Sequence, residues 1–322
     1  MLERLINLSW YGKVQWTWLL WPLSLLYGWV VKRKRQAFLE SGKTSEPVPV
    51  IIVGNITVGG TGKTPVVQSL VRHLQTLGYQ PGIISRGYGG TQNEFPHLVT
   101  TDDASERVGD EPYMLSRSLS VPVVIDPVRK QALNRVLEEG VNVVISDDGL
   151  QHYQLHRDVE ICVIDGSRGL GNGQLIPVGP MREPKDRLSS VDFVLSSSKS
   201  VASSSVFTIE PVCWVNVKNG EEKALGEFEV AEDSLAIAGI GNPNKFYETL
   251  SELNIRCESK SFDDHYPYSE SDFTGEKRQI LMTEKDAVKI APFAHDDMWF
   301  LQIQAALPET FLSQLVAKLE IK

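Results

Sequence analysis

Short, wholly apolar runs alternate along this chain with stretches whose apolar positions recur every three or four residues. The first run, 48–53, precedes a glycine-rich turn. After it Val66, Val67, Leu70, Val71, Leu74 and Leu77 fall on one face of a helix that Gly78 ends. The same reading predicts strands at 82–85, 121–125, 141–146, 159–164 and 191–195, with a helix over 128–139. Alternating βα units of this kind imply a mostly parallel sheet covered by helices, with ligands at the carboxyl ends of its strands. Residues 196–205 hold seven serines in ten positions and read as a linker or exposed loop. Beyond them a smaller α/β region is predicted, with strands at 235–240, 280–283 and 299–303 and helices over 243–253 and 311–319. Gly239-Ile240-Gly241 reads as a tight turn after a strand, because the third glycine of a dinucleotide fingerprint is missing.

The N-terminus breaks this pattern. Residues 14–31 carry no charge, and five tryptophans (Trp10, Trp16, Trp18, Trp21, Trp29) lie in or beside them. Lys32-Arg33-Lys34-Arg35 follows, where a signal peptide would place small residues. Tryptophan favours the bilayer interface, and flanking basic residues attract anionic lipid. The expectation is a membrane-associated helix that dips into the bilayer or just spans it. If it spans, the basic flank places the body in the cytoplasm.

The 322-residue chain is 42% hydrophobic and 23% charged, with net charge −9, which argues against nucleic acid as a partner. Residues 1–35 hold six basic side chains against Glu3, net +5, which leaves −14 on the rest. The charge asymmetry points to an anionic surface met by the N-terminus alone. Cys162, Cys213 and Cys257 are widely spaced and odd in number, which suits a reducing compartment and argues against a zinc site.

The turn after the first strand is Gly54-Asn55-Ile56-Thr57-Val58-Gly59-Gly60-Thr61-Gly62-Lys63-Thr64-Pro65. A strand, a glycine loop ending in Gly-Lys-Thr and a helix form a nucleotide phosphate cradle, with Thr57 to Thr64 as its binding residues. Lys63 would reach the β/γ-phosphates and Thr64 would ligate Mg²⁺. The first glycine of the usual motif is replaced by Thr57, so Gly59 and Gly60 are expected to supply the flexibility. Asp147-Asp148-Gly149 ends a predicted buried strand, where P-loop enzymes hold Mg²⁺, and Gln151 and His152 follow at the same edge. Arg86 and Arg182 stand in glycine- and proline-bordered loops and could hold phosphate.

Val53-Gly54-Asn55, the loop from Gly59 to Pro65, Ser85-Arg86-Gly87-Tyr88-Gly89 and Gly109-Asp110-Glu111-Pro112 together resemble the tetraacyldisaccharide 4′-kinase family. So do Asp147-Asp148-Gly149-Leu150-Gln151-His152, Gly179-Pro180-Met181-Arg182-Glu183-Pro184, Gly241-Asn242-Pro243, Asp264-His265-Tyr266 and Thr283-Glu284-Lys285-Asp286-Ala287. The resemblance implies a P-loop kinase that uses ATP and Mg²⁺ to phosphorylate the 4′-hydroxyl of an acylated disaccharide-1-phosphate lipid. It implies work at the cytoplasmic face of the bacterial inner membrane, in lipid A synthesis. Asp110 paired with His265 becomes the candidate for activating the sugar hydroxyl, a pair expected to form only when the two regions close over their ligands. Lys63, Asp147, Asp148 and Arg86 complete the catalytic candidates. Gln151, His152, Arg182 and Glu183 are the substrate candidates, and Thr64 with Asp147 the metal ligands. The chain divides accordingly into a membrane helix (1–35), a P-loop kinase domain (36–200) and a smaller α/β domain (201–322). A membrane-bound nucleotide switch is the competing reading. Val58 stands where partitioning ATPases carry lysine, and Asn244-Lys245-Phe246-Tyr247 lacks the aspartate that reads guanine.

Overall fold

A computed structural model of the chain describes residues 2–12, 15–42, 45–199 and 205–320. Residue 14 of the uncharged segment and residues 200–204 of the serine-rich stretch lie outside that description.

Two sheets form the body. The first contains β1 (Val50–Gly54), β2 (Pro81–Ser85), β3 (His97–Leu98), β4 (Val123–Ile125), β5 (Val143–Asp147), β6 (Val159–Ile164), β7 (Phe193–Ser196) and β8 (Ser205–Val206), in the order β3-β4-β2-β5-β1-β6-β7-β8. All pairs are parallel except β3 with β4. Strands β1, β2, β4, β5, β6 and β7 are buried along their whole length, which is why they read as continuous apolar runs rather than alternating ones. The second sheet contains β9 (Thr208–Asn216), β10 (Glu222–Ala224), β11 (Leu235–Ala238), β12 (Glu258–Ser261), β13 (Ile280–Thr283) and β14 (Met298–Ala306), in the order β10-β9-β14-β13-β11-β12.

Strand β9 escaped the sequence pattern for a local reason. Pro211 interrupts it, and the pairing with β14 shifts there, since Gln302 faces Cys213 while Ile303 faces Pro211. A bulge at that point tolerates the missing N–H.

The helices are α1 (Leu2–Tyr11), α2 (Trp21–Glu40), α3 (Lys63–Thr76), α4 (Ser105–Val108), α5 (Asp110–Ser118), α6 (Arg129–Leu137), α7 (Pro243–Glu252), α8 (Glu284–Ile290) and α9 (Glu309–Glu320). Helix α3 buries Val66, Val67, Leu70, Val71 and Leu74 against the first sheet, as its periodicity requires. Helix α9 returns to that same core, where Phe311 meets Phe193 edge-on with centroids 5.0 Å apart. Two segments to which the apolar pattern assigns no element open helices. Helix α5 begins at Asp110, with Pro112 in its first turn, and α8 begins after Thr283, whose hydroxyl accepts from Asp286 N. Both are too short for a periodic signal.

The N-terminus is a helical hairpin: α1, a 3₁₀ turn over Trp16–Leu20, then α2. No helix among the described residues is long and apolar enough to cross a membrane. The hairpin is tied by polar contacts to the loop between β6 and β7 of the first sheet. The Thr17 hydroxyl donates to Val178 O at 2.7 Å, Ser24 to Leu175 O at 2.9 Å, Tyr27 to Arg182 O at 2.9 Å and Trp10 Nε1 to Pro177 O at 3.2 Å. Its other face leaves Leu19, Leu23, Leu25, Leu26, Trp21 and Trp29 exposed.

Candidate active site

Strand β1 runs between β5 and β6, so the loop at its end lies at the centre of the carboxyl edge. Gly59 and Gly62 adopt φ of 103° and 88°, a region that L side chains avoid. Gly60 does not, and a Cβ there would meet nothing within 4 Å; the close approach is made by Gly241, in the turn after β11, where a Cβ would come within 2.9 Å of Gly60 N. Gly59, Gly60, Thr61, Gly62, Lys63 and Thr64 all line one cleft of about 1170 Å³. Val58 also lines it, but its N–H is committed to Pro180 O at 2.8 Å. Thr57 lies outside the cleft wall, buried and bridged to Met181. The motif's departure at this position is thus accommodated by a side chain turned into packing, and the Val58 N–H points away from the phosphate site.

The register of β1 with β5 sets Asp147 beside Val53. Asp147 is buried beneath the cleft wall, and neither carboxylate oxygen has a hydrogen-bond partner. Burial, then the charge of Glu111, pushes its pKa well above the usual carboxylate range, against the opposing pull of Lys63. A buried carboxylate without a partner beside a P-loop lysine is a fit for a divalent cation, which would supply the missing charge. Asp148 turns the other way through a left-handed backbone, φ 48°. It pairs with Lys63 Nζ at 3.4 Å and accepts from Arg182 Nη1 at 3.0 Å. Burial alone would raise its pKa, but Lys63 and Arg182 outweigh it and hold it at about 2. Arg182 Nη1 also reaches Asn55 Oδ1 at 3.3 Å, which fastens that loop to the cradle.

Of the remaining candidates, Arg86, Gln151, His152 and Arg182 line the cleft and Glu183 does not. Glu183 is fully buried, accepting from Gln151 Nε2 at 2.8 Å and from the Tyr153 hydroxyl, with Arg187 Nε 3.3 Å away. It orients Gln151, whose amide also donates to Asn55 O at 2.9 Å, and it does not itself face a ligand. Burial and the cations Arg129 and Arg86 depress the His152 pKa to about 4. Arg129 was missed in the sequence. It opens α6, is nearly fully buried and lines the cleft, with its Nε lacking a partner. Nothing in its local pattern separates it from a surface arginine.

On the opposite wall His265 Nδ1 lies 3.1 Å from Asp110 Oδ2. The pair is already formed here, because α8 packs on α5 and its Lys289 holds the loop of His265 through Tyr266 O at 3.3 Å, so it needs no closure over ligands. Burial would raise the Asp110 pKa, but His265, Lys289 and Lys285 outweigh it and hold it low. Lys285 and Asp264 stand beside the pair and Tyr88 covers it, its ring 5.9 Å from the imidazole. Lys285 had a sequence signal: Thr283-Glu284-Lys285-Asp286 is a capping pattern that places it in the first turn of a helix.

Known proteins resemble this chain along nearly its whole length. Residues 16–320 match the family model described as LpxK: Tetraacyldisaccharide-1-P 4'-kinase. A tetraacyldisaccharide 4'-kinase of Pseudomonas paraeruginosa is 44% identical over 324 residues, covering 99% of this chain and 97% of its own. One from Vibrio cholerae is 42% identical over 311 residues, covering 94% and 91%. The crystal structure of an "apo" form LpxK from Aquifex aeolicus in complex with ATP superposes with a TM-score of 0.77 at 30% identity, covering 94% of this chain and 99% of that one. A P-loop, an aspartate pair at the neighbouring strand end and a match along nearly the whole chain place this protein in the tetraacyldisaccharide-1-phosphate 4′-kinase family.

Proposed function

We propose that this chain transfers the γ-phosphoryl group of ATP to the 4′-hydroxyl of a tetraacyldisaccharide 1-phosphate, in lipid A synthesis. The observation that carries the reading is that one cleft is lined both by the P-loop with Lys63 and by His265 of the second domain. Gly59 to Thr64 hold the nucleotide phosphates, and Lys63 balances charge developing on the transferring group. Asp148 keeps Lys63 and Arg182 side by side. Thr64 and Asp147 would hold Mg²⁺, which when bound neutralises phosphate charge. His265 accepts the hydroxyl proton at Nε2 while Asp110 steadies the ring through Nδ1. The sugar oxygen bonds to phosphorus, the bond from phosphorus to the bridging oxygen breaks, and ADP leaves with that electron pair. Arg86, Arg129 and Gln151 present donors to the phosphorylated sugar, and neutral His152 can accept from it.

The exposed Leu and Trp face of the N-terminal hairpin, beside Lys32 to Arg35, supports membrane attachment. Transferring acyl chains to water costs ~0.8 kcal/mol per CH₂, so an enzyme on such a lipid belongs at the bilayer surface. In this reading residues 1–35 face the inner membrane from the cytoplasmic side, 36–200 form the kinase domain and 201–322 the smaller domain, whose β8 and α9 pack back on the first sheet.

The test is a phosphotransfer assay with ATP, Mg²⁺ and purified disaccharide lipid in detergent. A 4′-phosphorylated product is expected, with Lys63→Ala lowering kcat at least ~10²-fold while the fold persists. ATP hydrolysis that ignores the lipid would favour the nucleotide-switch reading instead.

A further inference from the structure

Lys285 stands in the first turn of α8 and lines the same cleft. Its Nζ lies 3.2 Å from His265 Nε2, 3.3 Å from Asp264 Oδ1 and 3.8 Å from Glu111 Oε1. Burial would lower its pKa, but Glu111, Asp264 and Asp110 outweigh it and hold it above the ordinary lysine value. It is therefore an ammonium, with three donors and no acceptor.

This settles the imidazole between two groups of fixed role. Lys285 can only donate, so Nε2 must accept and carries no proton. Asp110 is ionised and can only accept, so the ring proton sits on Nδ1 and points at Asp110 Oδ2. The other groups around the pair reinforce this. Lys289 Nζ is 3.8 Å from Asp110 Oδ2 and keeps it charged, and Asp264 Oδ1 stays 3.9 Å from Nε2, leaving the ammonium as the nearer partner. The ring also needs tethering. His265 is a non-glycine residue with φ 59°, on a partly exposed loop, and a ring there held on one side alone could turn.

We propose that Lys285 is a positioning residue of the phosphotransfer: it selects the Nδ1–H tautomer of His265 and holds Nε2 bare toward the cleft until the acceptor hydroxyl takes the ammonium's place. This rests on His265 being the group that receives the hydroxyl proton. Displacement leaves Lys285 its contacts with Asp264 and Glu111, so the ammonium is not stranded when the sugar arrives.

The tautomer is read directly by ¹⁵N NMR of the full chain labelled at histidine, in detergent without lipid, with the His265 signals assigned by their loss in His265→Gln. The expected wild-type ring is protonated at Nδ1 and bare at Nε2. In Lys285→Met Asp110 alone is left to set the tautomer, so the bias weakens measurably and kcat falls about 10- to 100-fold, with the KM for ATP within about twofold. Lys285→Arg, which restores a cationic donor, recovers much of both. Should the methionine variant not fold, Lys285→Gln replaces it. A wild-type ring protonated at Nε2, or a Lys285→Met protein with unchanged His265 signals and kcat, overturns the proposal. A purely structural salt bridge would lower the melting temperature but leave the tautomer as it was. If His265→Gln keeps normal turnover, the base assignment falls and this proposal with it. If His265→Gln is inactive while Lys285→Met behaves as wild type, only the role of Lys285 falls.

Discussion

Asp147 and Asp148 are neighbours in the chain with opposite electrostatic settings, one buried without a partner and the other held at about 2 by Lys63 and Arg182. A third carboxyl of the cleft, Glu284, carries a pH dependence that can be measured. Burial raises its pKa to about 7, against the lowering effect of Gln68 and Arg72. The folded state therefore keeps the Glu284 proton between the unfolded value, near 4.5, and about 7, where the unfolded chain has lost it. Stability must fall as pH rises through that window and level off above it. Glu284→Gln should melt much like wild type near pH 4.5 and higher than wild type at pH 8, a gain of at most ~3 kcal/mol. Thermal melts across this range check it, and equal melting temperatures at pH 8 would refute it.

At the scale of elements, the helix N-termini bring the chemistry together. Lys63 opens α3, Asp110 opens α5, and Lys285 is in the first turn of α8. The acidic Asp110 also suits the positive end of its helix. The turn between β11 and α7 presses on the P-loop where a Cβ at residue 241 would sit 2.9 Å from Gly60 N and 3.2 Å from Asp264 Oδ2. Backbone cannot give way there as a flexible side chain would. Gly241→Ala should therefore displace the cradle and raise the KM for ATP about tenfold, at little cost to the melting temperature. An unchanged KM would show that the turn and the P-loop do not depend on each other.

For the whole molecule, the N-terminal hairpin is both surface and support. Among the described residues neither sheet contains one before Val50, so removal of residues 1–40 should leave the secondary structure of the body in place. The same hairpin holds Val178 O, Leu175 O and Arg182 O, in the loop whose Arg182 side chain meets Asp148. The truncated protein should keep its circular dichroism, lose binding to anionic vesicles and lose at least ~10-fold in kcat on a water-soluble acceptor. Full turnover on such an acceptor would mean that the hairpin does not support the Arg182 loop. The two sheets are themselves linked, where Lys245 Nζ on α7 meets the buried Asp165 carboxylate after β6 at 2.8 Å.

The phosphate loop, the βα alternation and the buried strands were legible in the sequence because each depends on local order: glycine where φ turns positive, and unbroken apolar runs where a strand is covered on both faces. The family resemblance added the pairing of Asp110 with His265, which no spacing could supply across 155 residues. Only the tertiary structure decided which polar residues face the ligand. It turned Thr57 and Glu183 into packing and support, brought Arg129 and Lys285 to the cleft, and tied the tryptophan-rich segment to the Arg182 loop. Those outcomes depend on burial and on charges that meet across two sheets, and a local pattern of residues carries neither.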